Sequence, residues 1–251
     1  MKRLDFGVQC LLCFFILFNL VSCSSDEQNN LGSVFQTNLG VGQSAKDLVS
    51  DNTFSKLIIE IGYMQGHELS NSAEQDVVNF VNQFMNKSEG VEVVQTEIPS
   101  LGQENYTTQD LRSIESENRQ VFPSDNTLSI WVSIVDGKNQ NESVVGVAYQ
   151  NLSISLMGAT ISENSGGLNQ PTKASIEATI FMHELGHLMG LVNIGAPMVN
   201  NHQQNGNHCD NSECLMFATV ETTDFFSLLI ATPIPELDEN CQLDLQQLIV
   251  D

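Results

Sequence analysis

His183-Glu184-Leu185-Gly186-His187-Leu188-Met189-Gly190 lies inside an apolar run over residues 176–191 whose spacing predicts a helix. At 3.6 residues per turn, His183 and His187 stand roughly 40° apart around that helix, so both imidazoles can reach one ion from the same face. Glu184 stands about 60° further round from His187, beside the ligands and within reach of a water at the ion. Two imidazoles and a neighbouring carboxylate are what a zinc centre needs to make water a nucleophile near neutral pH. The rest of the chain must supply a third ligand, a floor beneath the ion and a cleft.

On the same helix Ala178, Phe181, Met182, Leu185, Leu188 and Met189 fall on one side, with His183, Glu184, His187 and Gly190 on the other. That segregation predicts a motif at a cleft with its back in the core. Thr172 is placed to cap the helix start, and Gly190 to end it and turn the chain back toward the metal.

Upstream, residues 57–63, 91–98 and 128–135 read as strands, with helices expected over 71–87 and 108–121. Residues 144–149 and 153–161 read as two further short strands around Gln150-Asn151. They form either an ordinary hairpin or an edge on which an extended peptide lies by strand addition. His67 reads as a loop histidine, and residues 237–250 as a closing helix. The order of elements predicts an α+β domain, a mixed twisted sheet packed on helices with the HExxH helix beneath it.

The 251 residues carry 31 acidic against 9 basic side chains, a net charge of -22, with no window rich in Lys or Arg. Nucleic acid and anionic membrane surfaces are therefore excluded as natural partners. The length suits one domain, expected to be a monomer. Residues 1–22 begin with Lys2 and Arg3, continue as an apolar run and read as a signal peptide. Leu20-Val21-Ser22-Cys23 resembles the lipobox of bacterial lipoproteins. It implies an acylated Cys23 and a chain anchored by lipid in a bacterial cell envelope, at the outer membrane or cell surface, with no other membrane contact. Residues 23–50, rich in Ser, Asn, Gln and Gly, read as a flexible tether, leaving 51–251 as the domain. Cys209, Cys214 and Cys241 remain in the mature domain. In an exported protein two of them are expected to pair, Cys209 with Cys214 across a small loop or Cys241 with either.

The HExxHxxG form resembles the metzincin metallopeptidases, whose third zinc ligand, a His or Asp, comes three residues after the Gly. Asn193 stands there, and its amide oxygen is a weak zinc ligand. Further on, His208-Cys209-Asp210-Asn211-Ser212-Glu213-Cys214-Leu215-Met216 is similar to the HCxxxxCxM segment of the archaemetzincins, in which the His is the third ligand and the Met lies in a turn beneath the metal. The resemblance implies His208 as third ligand and Met216 as the Met-turn residue, beyond an insertion over about residues 193–207. His202, inside that insertion, competes with His208. Glu221 or Asp224 would be the ligand if the gluzincin arrangement applied.

Archaemetzincins carry a second zinc on four cysteines that include a later CxxC pair. Only Cys241 follows here, so a disulfide is expected in place of a complete second site. No Tyr follows Met216, so a tyrosine that helps hold the transition state, as in some metzincins, is absent. The resemblance implies a zinc-dependent endopeptidase with one catalytic zinc, peptide or protein substrates and Glu184 as general base. The alternative is a non-catalytic surface lipoprotein that binds peptide or protein through a zinc-stabilised cleft.

Overall fold

The computed structural model describes residues 35–230 and 233–250; the signal run and Cys23 lie outside the described residues. The chain forms α1 (Ala45–Val49), β1 (Lys56–Tyr63), α2 (Asn71–Phe84), β2 (Val91–Glu97), β3 (Asn105–Tyr106), α3 (Thr108–Asn118), β4 (Thr127–Val135) and β5 (Lys138–Asn139). There follow β6 (Gly146–Gln150), β7 (Ser153–Met157), α4 (Gly158–Glu163), α5 (Lys173–Leu188), β8 (Gln203–Gln204), β9 (His208–Cys209), α6 (Phe226–Leu229) and α7 (Glu239–Val250).

Five strands make the main sheet in the order β2-β1-β4-β7-β6, parallel except for β6, which runs antiparallel to β7 at one edge. β4 sits at the centre. Its run Leu-Ser-Ile-Trp-Val-Ser-Ile-Val is buried on both faces, as a parallel strand covered by helices requires. Its serines are satisfied internally: Ser133 Oγ bonds Ser155 Oγ at 2.9 Å, and Ser129 Oγ donates to Val121 O at 2.8 Å. α2 and α5 pack together, α5 lying on β6 and β7, while α3 contributes Leu111 and Ile114 to a separate apolar cluster around Trp131. Among the described residues no helix is long and apolar enough to cross a membrane.

Two expectations are corrected. The strand expected over 153–161 stops at Met157, because its neighbour β4 ends opposite it at Val135 and offers no further partner; Gly158 then starts α4. The tether expected over 23–50 is not flexible from Phe35 onward. Leu48 and Val49 are fully buried, and Asn151 Nδ2 donates to Gln36 O at 2.9 Å and Ser44 Oγ at 2.7 Å. Lys87 Nζ donates to Asp47 O at 2.6 Å and Phe54 O at 2.8 Å, tying the same segment to the end of α2. The motif stands at a cleft, with Glu184 and His187 among its lining, although every residue from Ile176 to Leu188 is itself buried.

Candidate metal centre

α5 is fixed at both ends by its own sequence. Thr172 Oγ1 accepts from Ser175 N at 3.0 Å. At the other end Leu191 N–H donates to Gly186 O and Gly190 N–H to His187 O, the paired bonds of a Schellman cap. Gly190 has φ 80, and a Cβ there would lie 2.5 Å from Ala196 N and 2.7 Å from Ala45 Cβ. Only glycine lets the chain leave the helix here and pass under α1. Val192 (φ 55) and Asn193 (φ 65) continue the turn in the left-handed region. Asn193 is spent on a 3.4 Å contact with Gln203 and takes no part in the metal group.

The insertion then returns as a two-stranded ribbon, with Gln204 opposite His208 and Gln203 opposite Cys209. Successive side chains on a strand point to opposite faces. His208 therefore joins His183 and His187, while Cys209 joins the other cysteines on the far side. The ring centroids of His183, His187 and His208 are 4.8, 5.0 and 5.4 Å apart.

His183 Nδ1–H donates to Leu215 O at 2.7 Å, and His208 Nδ1–H to Asn205 O at 3.0 Å, which turns both Nε2 lone pairs inward. His183 Nε2, His187 Nδ1, His208 Nε2 and Glu184 Oε1 are buried without hydrogen-bond partners. Buried polar atoms left unpaired in one place mark a missing partner, and three imidazoles converging so suit a divalent cation. Burial holds His183 down to about 4 and His187 well below its usual range, so both offer lone pairs rather than charge. For His208 burial works the same way, but Glu221 and Asn205 outweigh it and its pKa is raised.

Met216 lies beneath this group, fully buried, its sulfur against Gly186 where a Cβ would collide with it. Glu184 reaches toward β6, where Ala148 N–H donates to its Oε2 at 2.7 Å. Burial, with the charge of Glu221, pushes the Glu184 carboxyl well above the usual range. The centre opens onto a cleft of about 210 Å³ lined by Val147, Ala148, Glu184, His187, His208 and Glu221. That is below the roughly 300–1,000 Å³ of pockets that enclose whole small ligands, and it suits a chain passing along β6.

Residues 71–192 match the family described as "Metallo-peptidase family M12B Reprolysin-like". Over those residues, just under half of the chain, the sequence is similar to the reprolysin-like metallopeptidases. The protein is a hydrolase of the metalloprotease class. No curated protein matches the chain by sequence. Among solved structures, archaemetzincin from Methanopyrus kandleri is similar with a TM-score of 0.50 and 15% identity, over 77% of this chain and 96% of that one. Metalloproteinase-II from Bacteroides fragilis is similar with a TM-score of 0.47 and 14% identity, over 81% of this chain and 56% of that one. The archaemetzincin likeness shows the metzincin-like fold of the metallopeptidase.

The cysteines correct a further expectation. Cys209 and Cys214 form no disulfide; all three domain cysteines are buried free thiols in one cluster. Cys214 Sγ lies 3.7 Å from Cys241 Sγ, and His202 Nδ1 lies 3.4 Å from Cys209 Sγ and 3.9 Å from Cys241 Sγ. Disulfide sulfurs sit about 2.05 Å apart. Thiolates on one tetrahedral zinc, each at about 2.3 Å, sit about 3.8 Å apart. The N–H groups of Met216 and Asp238 both point at Cys214 Sγ, at 3.4 Å, and the neighbouring thiols pull Cys214 down to about 4. His202, which competes on sequence for the histidine centre, belongs to this second group with Cys209, Asp238 and Cys241. Sequence spacing alone could not pair a histidine in the insertion with a cysteine in the closing helix.

Asp224 falls in neither group, and His67 ligates nothing among the described residues. Glu221, weighed on sequence as a rival to His208, stands beside it instead: its Oε2 is 3.8 Å from His183 Nε2 and 3.7 Å from His208 Nε2.

Proposed function

We propose that the metallopeptidase is a zinc-dependent endopeptidase in which His183, His187 and His208 hold the ion and Glu184 is the general base. The observation that carries this reading is the meeting of three inward imidazole faces with a buried carboxylate beside an edge strand. Zinc in such a site supplies Lewis acidity, acidifying water and polarising a carbonyl. The chain's own residues do the rest. His183 and His208 are oriented by Leu215 O and Asn205 O. Glu184, raised by burial, takes a proton at its unpartnered Oε1 and returns it to the leaving amine. Extended substrate lies along β6, whose antiparallel edge borders the cleft. The thiol cluster is proposed to hold a second, structural zinc, as its spacing supports. The lipobox-like run before Cys23 supports a lipid anchor in a bacterial envelope, to be read by mass spectrometry of the mature N-terminus.

The test is Glu184→Ala, assayed on a broad peptide library beside the parent protein with and without chelator. Expected are chelator-sensitive internal cleavage by the parent, and unchanged metal content with loss of hydrolysis in the variant. Retained turnover in the variant would overturn the reading.

A further inference from the structure

The position of Glu221 does not follow from the three-histidine reading. Its backbone is sewn to the segment just before β6: Val145 N–H donates to Glu221 O at 2.9 Å, Thr223 N–H donates to Ser143 O at 2.9 Å, and Val144 bridges Thr222. From there the side chain enters the histidine group, where its Oε2 faces two imidazole nitrogens that have no other partner. Separations of 3.7 and 3.8 Å are too long for hydrogen bonds. They are close to the roughly 3.4 Å expected between two ligands of one tetrahedral zinc with bonds of about 2.1 Å. His183, His187, His208 and Glu221 each place one donor atom within 4.8 Å of all the others.

We propose, resting on the zinc reading above, that Glu221 is the fourth ligand of the resting centre, a carboxylate that closes the position a substrate group must take. Structural zinc sites are closed by four protein ligands, whereas catalytic sites keep one place open. Glu221 makes this site closed at rest and opened by displacement. The geometry allows the exchange: the backbone of Glu221 is pinned, but its side chain is 27% exposed and lines the cleft along which peptide would enter. It can swing outward without breaking a ladder bond. Asn193 and the absence of a tyrosine after Met216 fit the same picture, since neither usual position supplies a further donor.

The experiment uses the full chain loaded with zinc or cobalt, comparing the parent with Glu221→Ala, and with His187→Ala to subtract the signal of the thiol cluster. Zinc affinity is measured by chelator competition, and the cobalt visible spectrum is titrated with azide. Glu221→Ala is expected to weaken zinc at the histidine centre by about tenfold or more, the scale of loss seen even for outer-sphere partners. It is also expected to bind azide at concentrations that leave the parent spectrum unchanged, with added acetate restoring a parent-like spectrum. Equal zinc affinity and equal azide titration in the two proteins would overturn the proposal while leaving the three-histidine centre standing. If His187→Ala loses no metal, the zinc reading itself fails instead.

Discussion

Ala148 N–H donates to Glu184 Oε2 at 2.7 Å across 36 residues of sequence, so a strand edge holds the carboxylate that a helix carries. That bond lowers the Glu184 pKa against the upward push of burial and of Glu221. Ala148→Pro removes the donor without touching a metal ligand, and an edge strand tolerates proline. Loss of a hydrogen bond to a charged group is worth about 1.5–3 kcal/mol, so kcat is expected to fall roughly 10- to 100-fold with metal content unchanged. Because the Glu184 pKa then rises further, the acid limb of the pH–rate profile should move to higher pH. A profile that stays in place would show that Ala148 does not set the base.

The two donor groups should part company by mutation. His208→Ala is expected to lose the ion of the histidine centre and keep one at the thiols, while His202→Ala should do the reverse. Metal counts by elemental analysis, with thiolate-to-cobalt bands marking the cysteine cluster, decide the assignment. Loss of the histidine-centre ion in His202→Ala alone would reverse it.

Gly190 is the joint between α5 and the turn that starts the insertion. Its φ of 80 and the close approach of Ala196 N and Ala45 Cβ leave no room for a side chain. Gly190→Ala is expected to cost roughly 2 kcal/mol or more in urea unfolding, the strain of a left-handed residue with a backbone clash added.

His202 Nε2 lies 2.9 Å from Asp244 Oδ2, with both side chains buried. Burial opposes charge on the imidazole, but Cys209 and Asp244 outweigh it and raise the pKa above 6.5. Folded protein then holds the proton more tightly than unfolded protein. The stabilisation is full below about 6.5 and is lost as pH rises through the raised value. In chelator-treated protein Tm is therefore expected to fall over that range, and Asp244→Asn should flatten the fall. A parent Tm that holds level there would exclude the pair as a contributor.

Much of the frame was legible because periodicity reports local structure. The apolar runs at 57–63 and 128–135 became β1 and β4, and the caps at Thr172 and Gly190 bound α5 where their chemistry requires. The tether reading failed because composition does not reveal that a few apolar residues, Leu48 and Val49 above all, find a place in a distant core. The cleft expected beside the motif is present, and its walls come from β6 and the ribbon that carries His208, neither of them local to the helix.

By itself the sequence determined that His183, Glu184 and His187 share one helix face, since four residues make little more than one turn. It also placed His208 and Cys209 next to each other in the chain. Only the tertiary structure decided their separate destinations. A strand sends neighbouring side chains to opposite faces, and the ribbon of β8 and β9 stands between the two groups, so His208 turns to the histidines and Cys209 to His202 and Cys241. The groups that surround each cluster, Glu221, Ala148 N–H and the acceptor Leu215 O on one side and His202 on the other, come from segments with no shared period. Only packing in three dimensions brings them together.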